Sequence, residues 1–158
     1  MVKAAVLTVS DRASAGAMDD ESGPAVAKLL EGAGFEVAAV DVVPDDGARI
    51  AAWLKARARV FDLLFTTGGT GLAARDVTPE ATASVVDYEV PGLAELMRQK
   101  GFKKTPMAML SRSRAGVRGT ALIINLPGSV KGATESLQAV LPLLGHAVDQ
   151  LKGRTRHQ

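Results

Sequence analysis

Cysteine is absent from the 158 residues, and histidine occurs only as His146 and His157. Without a thiol there can be no disulfide, no thiolate metal site and no cysteine nucleophile. A Ser–His–Asp relay has almost no base to draw on, since neither histidine has an acid–base partner near it in sequence. His146 reads instead as a structural or interface residue. Aromatic residues make up 4% of the chain, so stacking platforms for nucleic acid are scarce. No apolar run comes near the roughly 20 residues that a membrane helix needs. The first residues, MVKAAVLTVSD, reach Asp11 too soon for a secretory signal. A reduced, cytoplasmic setting is expected, with neither membrane nor nucleic acid as a partner.

What is present is an ordinary globular composition, 47% hydrophobic and 23% charged, expected to form one domain over residues 1–152 with a short tail at 153–158. The net charge is only +2, yet the charges are segregated. Asp11, Asp19, Asp20, Glu21, Glu31, Glu36, Asp41, Asp45 and Asp46 crowd the first third against Arg12 and Lys28. From Leu96 to Thr134 there are only bases: Arg98, Lys100, Lys103, Lys104, Arg112, Arg114, Arg118 and Lys131. Two solvated faces would give this pattern. So would a cleft in which one half holds a divalent cation and the other receives phosphates.

Short, near-continuous apolar runs at Ala4–Val9, Phe35–Val43, Val60–Phe65 and Ala121–Leu126 read as strands buried on both faces of a parallel sheet. Helical spacing separates them. Val26, Leu29, Leu30 and Ala33 form one stripe, and Ile50, Trp53 and Leu54 a second. Pro79 and Pro91 open two more helices. A long stripe from Leu137 to Leu151 is interrupted by Pro142 and Gly145, which predicts two helices or one kinked helix. This alternation predicts a three-layer α/β/α fold with a mostly parallel sheet. Ligands in such folds bind at the carboxyl ends of the strands. That rule selects the loops Ser10–Ser22, Pro44–Gly47, Thr66–Thr78 and Pro127–Lys131.

One of these loops carries TTGGTGLAARDVTPEAT, from Thr66 to Thr82. Gly68, Gly69 and Gly71 permit positive φ and a close approach of main chain to ligand. Consecutive amides in such a turn can form an anion-binding nest, to which the Thr67 and Thr70 hydroxyls add donors. Thr78 is placed to cap the next helix, with Pro79 at its first position. The GK[ST] ending of a Walker loop is missing, and so is the G-x-G-x-x-G spacing. Asp76 beside such a turn would repel an anion unless a cation stood between them. A Mg²⁺ held by one or two carboxylates and by substrate phosphates meets that condition. Asp45 or Asp46 supplies a second carboxylate. Arg112 is the base best suited to grip phosphate in a bidentate fashion. Asn125, at the end of the last strand, offers both a donor and an acceptor, either to a pterin edge or to a simple strand-end hydrogen bond. Asp11 and Arg12 form either a buried pair stiffening the first loop or contacts to the ligand.

TTGGTG followed by RDVTPEAT resembles the signature of the Mog/MoaB-type molybdenum-cofactor biosynthesis proteins, the molybdopterin adenylyltransferases. SDRASAG, DESGP, PDD, VPGLAELMR, MLSRSRAGVRG and INLPGS follow in the family's order, so the resemblance covers almost the whole chain. It implies transfer of AMP from ATP to the terminal phosphate of molybdopterin, with Mg²⁺ and release of pyrophosphate. It also implies a homotrimer working beside other enzymes of cofactor assembly. The family's two critical aspartates fall on Asp45 and Asp76, as catalytic residues and metal ligands. The joint nucleotide and pterin pocket would be lined by Ser10, Asp11 and Arg12, by Thr67, Gly68, Gly69, Thr70, Gly71 and Thr78, and by Ser111, Arg112, Asn125, Pro127, Gly128 and Ser129. One departure stands at Ser129-Val130, where relatives often carry proline after the small residue. A carrier of the same fold that binds molybdopterin or a nucleotide without chemistry is the alternative.

Overall fold

The computed structural model describes residues 1–154. Its sheet has six strands in the order β2-β1-β3-β6-β5-β4. β1 (Lys3–Val9), β2 (Glu36–Val43), β3 (Leu63–Thr67) and β6 (Ala121–Leu126) run parallel. β5 (Ala115–Arg118) returns antiparallel along β6, and the two-residue β4 (Tyr88–Glu89) pairs antiparallel with β5. The helices are α1 (Asp11–Ser14), α2 (Ser22–Gly32), α3 (Gly47–Ala58), α4 (Thr78–Val85), α5 (Pro91–Phe102) and α6 (Val130–Leu151), with a 3₁₀ turn at Pro106–Leu110.

Alternation along the central strands builds two cores. Val6, Phe65 and Ile124 join α2, α5 and α6 on one face, while Leu7, Leu64 and Ile123 join α3 and α4 on the other. Each of these side chains is fully buried, and each contributes about 1.5–3 kcal/mol of transfer free energy. The expected three-layer α/β/α fold with a mostly parallel sheet is therefore the observed one. β2 is the exception to burial on both faces: as the edge strand it alternates exposed and half-buried positions.

Several expected boundaries move. The third strand starts at Leu63 rather than Val60, because Val60 and Phe61 donate to the Arg57 carbonyl and finish α3. It continues through Thr66 and Thr67, which pair with Asn125 and Leu126 of β6. The Leu137–Leu151 stripe is one 22-residue helix that includes Pro142. Pro142 and Gly145 are exposed, so the carbonyl that a proline frees four residues earlier, at Gln138, lies toward water while the buried stripe continues. Thr78 does not cap α4: Val77 holds that position and Thr78 is the first helical residue. The tail expected from 153 is described only to Arg154; residues 155–158, and with them His157, lie outside the described residues.

β1 sits between β2 and β3, and the chain leaves β1 toward one edge of the sheet and β3 toward the other. A crevice opens between carboxyl ends where connections diverge in this way.

Candidate active site on both sides of a glycine turn

At that crevice β3 ends in Gly68 and Gly69, with φ of +95° and +71°, a region that L side chains resist. The Gly68 amide donates to the Leu126 carbonyl at 3.0 Å. A Cβ on Gly68 would collide with the Val9 carbonyl and lie 3.9 Å from the Gly128 Cα. The ends of β1, β3 and β6 therefore meet main chain to main chain. A Cβ on Gly69 would overlap the Thr78 hydroxyl and stand 3.3 Å from Asp45 Oδ1. One on Gly71 would stand 2.9 Å from Asp76 Oδ2. Both carboxylates thus border the same turn.

On one side of the turn lies a polar cavity of about 340 Å³, lined by Asp20, Asp45, Asp76 and Arg75 together with Gly68, Gly69 and Ser129. The N-termini of α2 and α6 open on it through Ser22 and Val130, and such ends favour anions. Its floor is a chain of hydroxyls. Ser22 and Thr67 share a hydrogen bond of 2.9 Å, Thr67 donates to Thr8 at 3.3 Å, and Thr8 donates to Asp20 at 2.9 Å. The Asp45 amide donates to Asp11 Oδ1 at 2.8 Å, and the Asp11 amide returns to Asp45 Oδ2 at 3.2 Å. Partial burial pushes the Asp45 carboxyl above its ordinary range. The negative charges of Asp11 and Asp76 push the same way, against the Asp11 amide and the Arg75 cation. Asp76 Oδ2 accepts from the Ala73 amide at 3.0 Å. Thr78 is fully buried and its Oγ1 has no hydrogen-bond partner.

On the other side lies a second cavity, of about 370 Å³ and mostly apolar. Ala94 and Met97 of α5 and Met107 and Leu110 of the 3₁₀ turn supply its walls. Arg98, Lys100 and Lys104 stand at it, with Thr70, Gly71 and Pro127 forming the boundary with the glycine turn. Close packing of α5 on the 3₁₀ turn needs Gly101, whose Cβ would sit 2.8 Å from that of Ala108. An acidic, helix-capped cavity and an apolar, base-bearing cavity thus share one thin wall of main chain. That arrangement suits two ligands, or two halves of one, meeting at the turn.

Residues 5–146 match the family described as a probable molybdopterin binding domain. The chain belongs to that molybdopterin-binding domain family. Over 155 residues the domain is 43% identical to a molybdopterin adenylyltransferase of Helicobacter pylori, covering 94% of this chain and 86% of that protein. Enzymes of that name are nucleotidyltransferases. The solved structure of the molybdopterin biosynthesis enzyme MoaB of Thermus thermophilus superposes with a TM-score of 0.92 at 54% identity, covering 97% of this chain and 98% of its own. A molybdopterin biosynthesis protein of Mycobacterium abscessus does so with 0.91 at 36% identity, covering 96% and 97%.

Within the molybdopterin-binding domain, the residues expected from sequence divide three ways. Ser10, Thr67, Gly68, Gly69, Gly128, Ser129, Asp45 and Asp76 line the polar cavity, and Thr70, Gly71, Ser111 and Pro127 the apolar one. Thr78 reaches the turn from behind through the Gly69 carbonyl, to which its amide donates at 3.1 Å. Asp11 acts through Asp45, and Arg12 is exposed beside it, so the two are not a buried pair.

Two expected ligand contacts are otherwise engaged. Asn125 is fully buried: its Nδ2 donates to Thr66 and Thr82 and its Oδ1 accepts from the Arg114 amide. Both Nδ2 protons are spent and the side chain does not reach the surface, so Asn125 presents no edge to a pterin and instead fastens β6 to α4 and β5. Arg112 directs its guanidinium onto the protein, at the Gly71 and Asp76 carbonyls and Glu80. Asp20, Ser22, Arg75, Met97, Arg98, Lys100 and Lys104 line the cavities without being among the individual site residues expected from sequence. DESGP contains Asp20 and Ser22, and Ala94, Met97, Arg98 and Gly101 follow helical spacing, so both signals were present.

Proposed function

We propose that the domain transfers AMP from ATP to the terminal phosphate of molybdopterin and releases pyrophosphate, as a step of molybdenum cofactor biosynthesis. The observation that carries this reading is the pairing of an acidic cavity with an apolar one across the glycine turn. The acidic cavity suits Mg²⁺ and the nucleotide phosphates. The apolar one suits a flat heterocycle whose phosphate reaches the turn. Asp45 and Asp76 would hold the cation. Their fit rests on Asp45 itself, whose charge is disfavoured by burial and by neighbouring acids and which a cation would relieve. Among the described residues no group of three or more His, Asp or Glu side chains could hold a metal ion, so substrate oxygens would complete the shell.

When bound, Mg²⁺ supplies neutralisation of phosphate charge. The chain's own residues supply alignment. Helix ends at Ser22 and Val130 attract the triphosphate, and the thin turn lets the acceptor phosphate approach the α-phosphorus from the opposite cavity. The bond formed joins the acceptor oxygen to the α-phosphorus, and the bond broken releases the β- and γ-phosphates together. A phosphate monoester is largely dianionic at neutral pH, so no general base is needed, which agrees with the sparse histidines. A homotrimer in a cytoplasmic setting is part of the same proposal, and light scattering of the purified protein tests the former. The activity is tested by incubating the protein with Mg²⁺, ATP and molybdopterin. Release of pyrophosphate with adenylylated product supports the reading; binding of both ligands without pyrophosphate contradicts it.

A further inference from the structure

Arg112 stands where a phosphate-binding arginine would be sought, yet each of its three guanidinium nitrogens already donates to the protein. Its Nε donates to the Gly71 carbonyl at 2.8 Å, its Nη2 to the Asp76 carbonyl at 2.8 Å, and its Nη1 to Glu80 Oε2 at 2.6 Å. Its own amide donates to the Thr70 carbonyl at 2.8 Å. These contacts grip both ends of one loop, Gly71–Asp76, whose middle residues Leu72, Ala73, Ala74 and Arg75 are exposed. Within that loop the Asp76 carboxylate accepts from the Ala73 amide, and the Asp76 amide donates to the Ala73 carbonyl at 2.9 Å. A small closed turn thus carries Asp76 and is attached to the rest of the protein mainly through Arg112. Glu80, on the first turn of α4, holds the guanidinium from the far side. The Arg112 cation, as hydrogen-bond donor and as charge, keeps the Glu80 carboxyl below its ordinary range.

We propose that Arg112 is a positioning residue, clamping the Gly71–Asp76 loop so that the Asp76 carboxylate faces the polar cavity, and that it binds no phosphate itself. The guanidinium fork is what the role requires: a lysine ammonium is a single point and cannot serve acceptors at Gly71, Asp76 and Glu80 in one plane. This inference rests on the polar cavity being the site of the cation and nucleotide phosphates, and its test is arranged to separate the two.

Three variants suffice: Arg112→Lys, Arg112→Met and, as a milder probe that keeps the arginine, Glu80→Gln. Hydrogen exchange of the free protein reads the clamp directly. In Arg112→Lys the Ala73 and Asp76 amides should exchange at least about tenfold faster, with the Ile123 and Ile124 amides of β6 unchanged; Glu80→Gln should fall between that and wild type. Unchanged exchange at Ala73 and Asp76 overturns the proposal. Binding of Mn²⁺·ATP then separates clamp from phosphate ligand. The clamp predicts that Arg112→Lys and Arg112→Met weaken it alike, by about tenfold or more. Near-wild-type binding in Arg112→Lys with loss only in Arg112→Met would identify a charge acting on phosphate and overturn the proposal. Wild-type protein that fails to bind Mn²⁺·ATP would overturn the assignment of the cavity instead, while the exchange data still decide whether Arg112 holds the loop.

Discussion

Asp46 accepts hydrogen bonds from the Ala48 and Arg49 amides at the start of α3, whereas its neighbour Asp45 turns into the polar cavity beside Asp11 and Gly69. One aspartate is a helix cap and the other a functional candidate, a division that the pair of letters does not reveal. The two roles predict different consequences for stability. The folded-state pKa of Asp45 lies above the ordinary value of 3.8. For such a group, folding is not penalised where both states are protonated, and stability is lost as pH rises through the folded pKa. Asp45→Asn should therefore melt at a higher temperature than wild type at pH 7, with the difference disappearing below about pH 4. The same variant should lose AMP transfer. Asp76→Ala should keep its far-ultraviolet circular dichroism and lose at least about a hundredfold in transfer rate, measured as pyrophosphate release. An Asp45→Asn protein that is both less stable and active would contradict this view of the residue.

At the scale of elements, the glycine turn is the part that tolerates least. Gly69 combines positive φ with the Thr78 hydroxyl and Asp45 on the side where a Cβ would go. Gly69→Ala should cost about 1–3 kcal/mol in chemical denaturation and weaken nucleotide binding as well. The four parallel strands, the order of the helices and the loops carrying the site were legible because apolar runs and glycine or proline breaks mark them directly. β4 and β5 were not. β4 has two residues and β5 four, interrupted by Gly116, so neither yields a periodic signal. Gly116 itself shows why: its Cβ would come within 2.8 Å of the Tyr88 carbonyl, and the close approach of β4 removes the side chain that would have announced a strand. Thr66 and Thr67 read as loop because they adjoin the glycines, yet β-branched residues paired to β6 belong in the sheet. The engagement of Asn125 and Arg112 was hidden for another reason. All three partners of the Arg112 guanidinium and both acceptors of the Asn125 Nδ2 lie more than 30 positions away, and side-chain type announces capacity for a hydrogen bond without naming who takes it.

Across the whole molecule, the two ends of the sheet divide the work. The carboxyl ends of the strands hold both cavities, while the opposite end is tied together by Asp62. Its Oδ1 meets the Lys152 ammonium just beyond α6 at 2.6 Å, and its Oδ2 accepts from the Lys3 amide at 2.9 Å. Burial alone would raise its pKa, but the hydrogen bonds from Lys152 and Lys3 and the positive charge of Lys152 prevail and hold it below the ordinary range. A depressed carboxyl contributes stability above the unfolded value and loses it as pH falls through the folded one. Asp62→Asn should therefore cost about 1–3 kcal/mol at pH 7, a deficit that shrinks below about pH 4, while pyrophosphate release stays at the wild-type rate.

The central claim, that nucleotide and pterin meet across one glycine turn from opposite cavities, is tested most directly by a crystal structure of the Asp76→Ala protein with Mg²⁺, ATP and molybdopterin. The account predicts the triphosphate between Ser22 and Ser129, and the pterin against Met97 and Met107 with its phosphate at Gly69–Gly71. A pterin lying in the acidic cavity, or a triphosphate along α5, would contradict it.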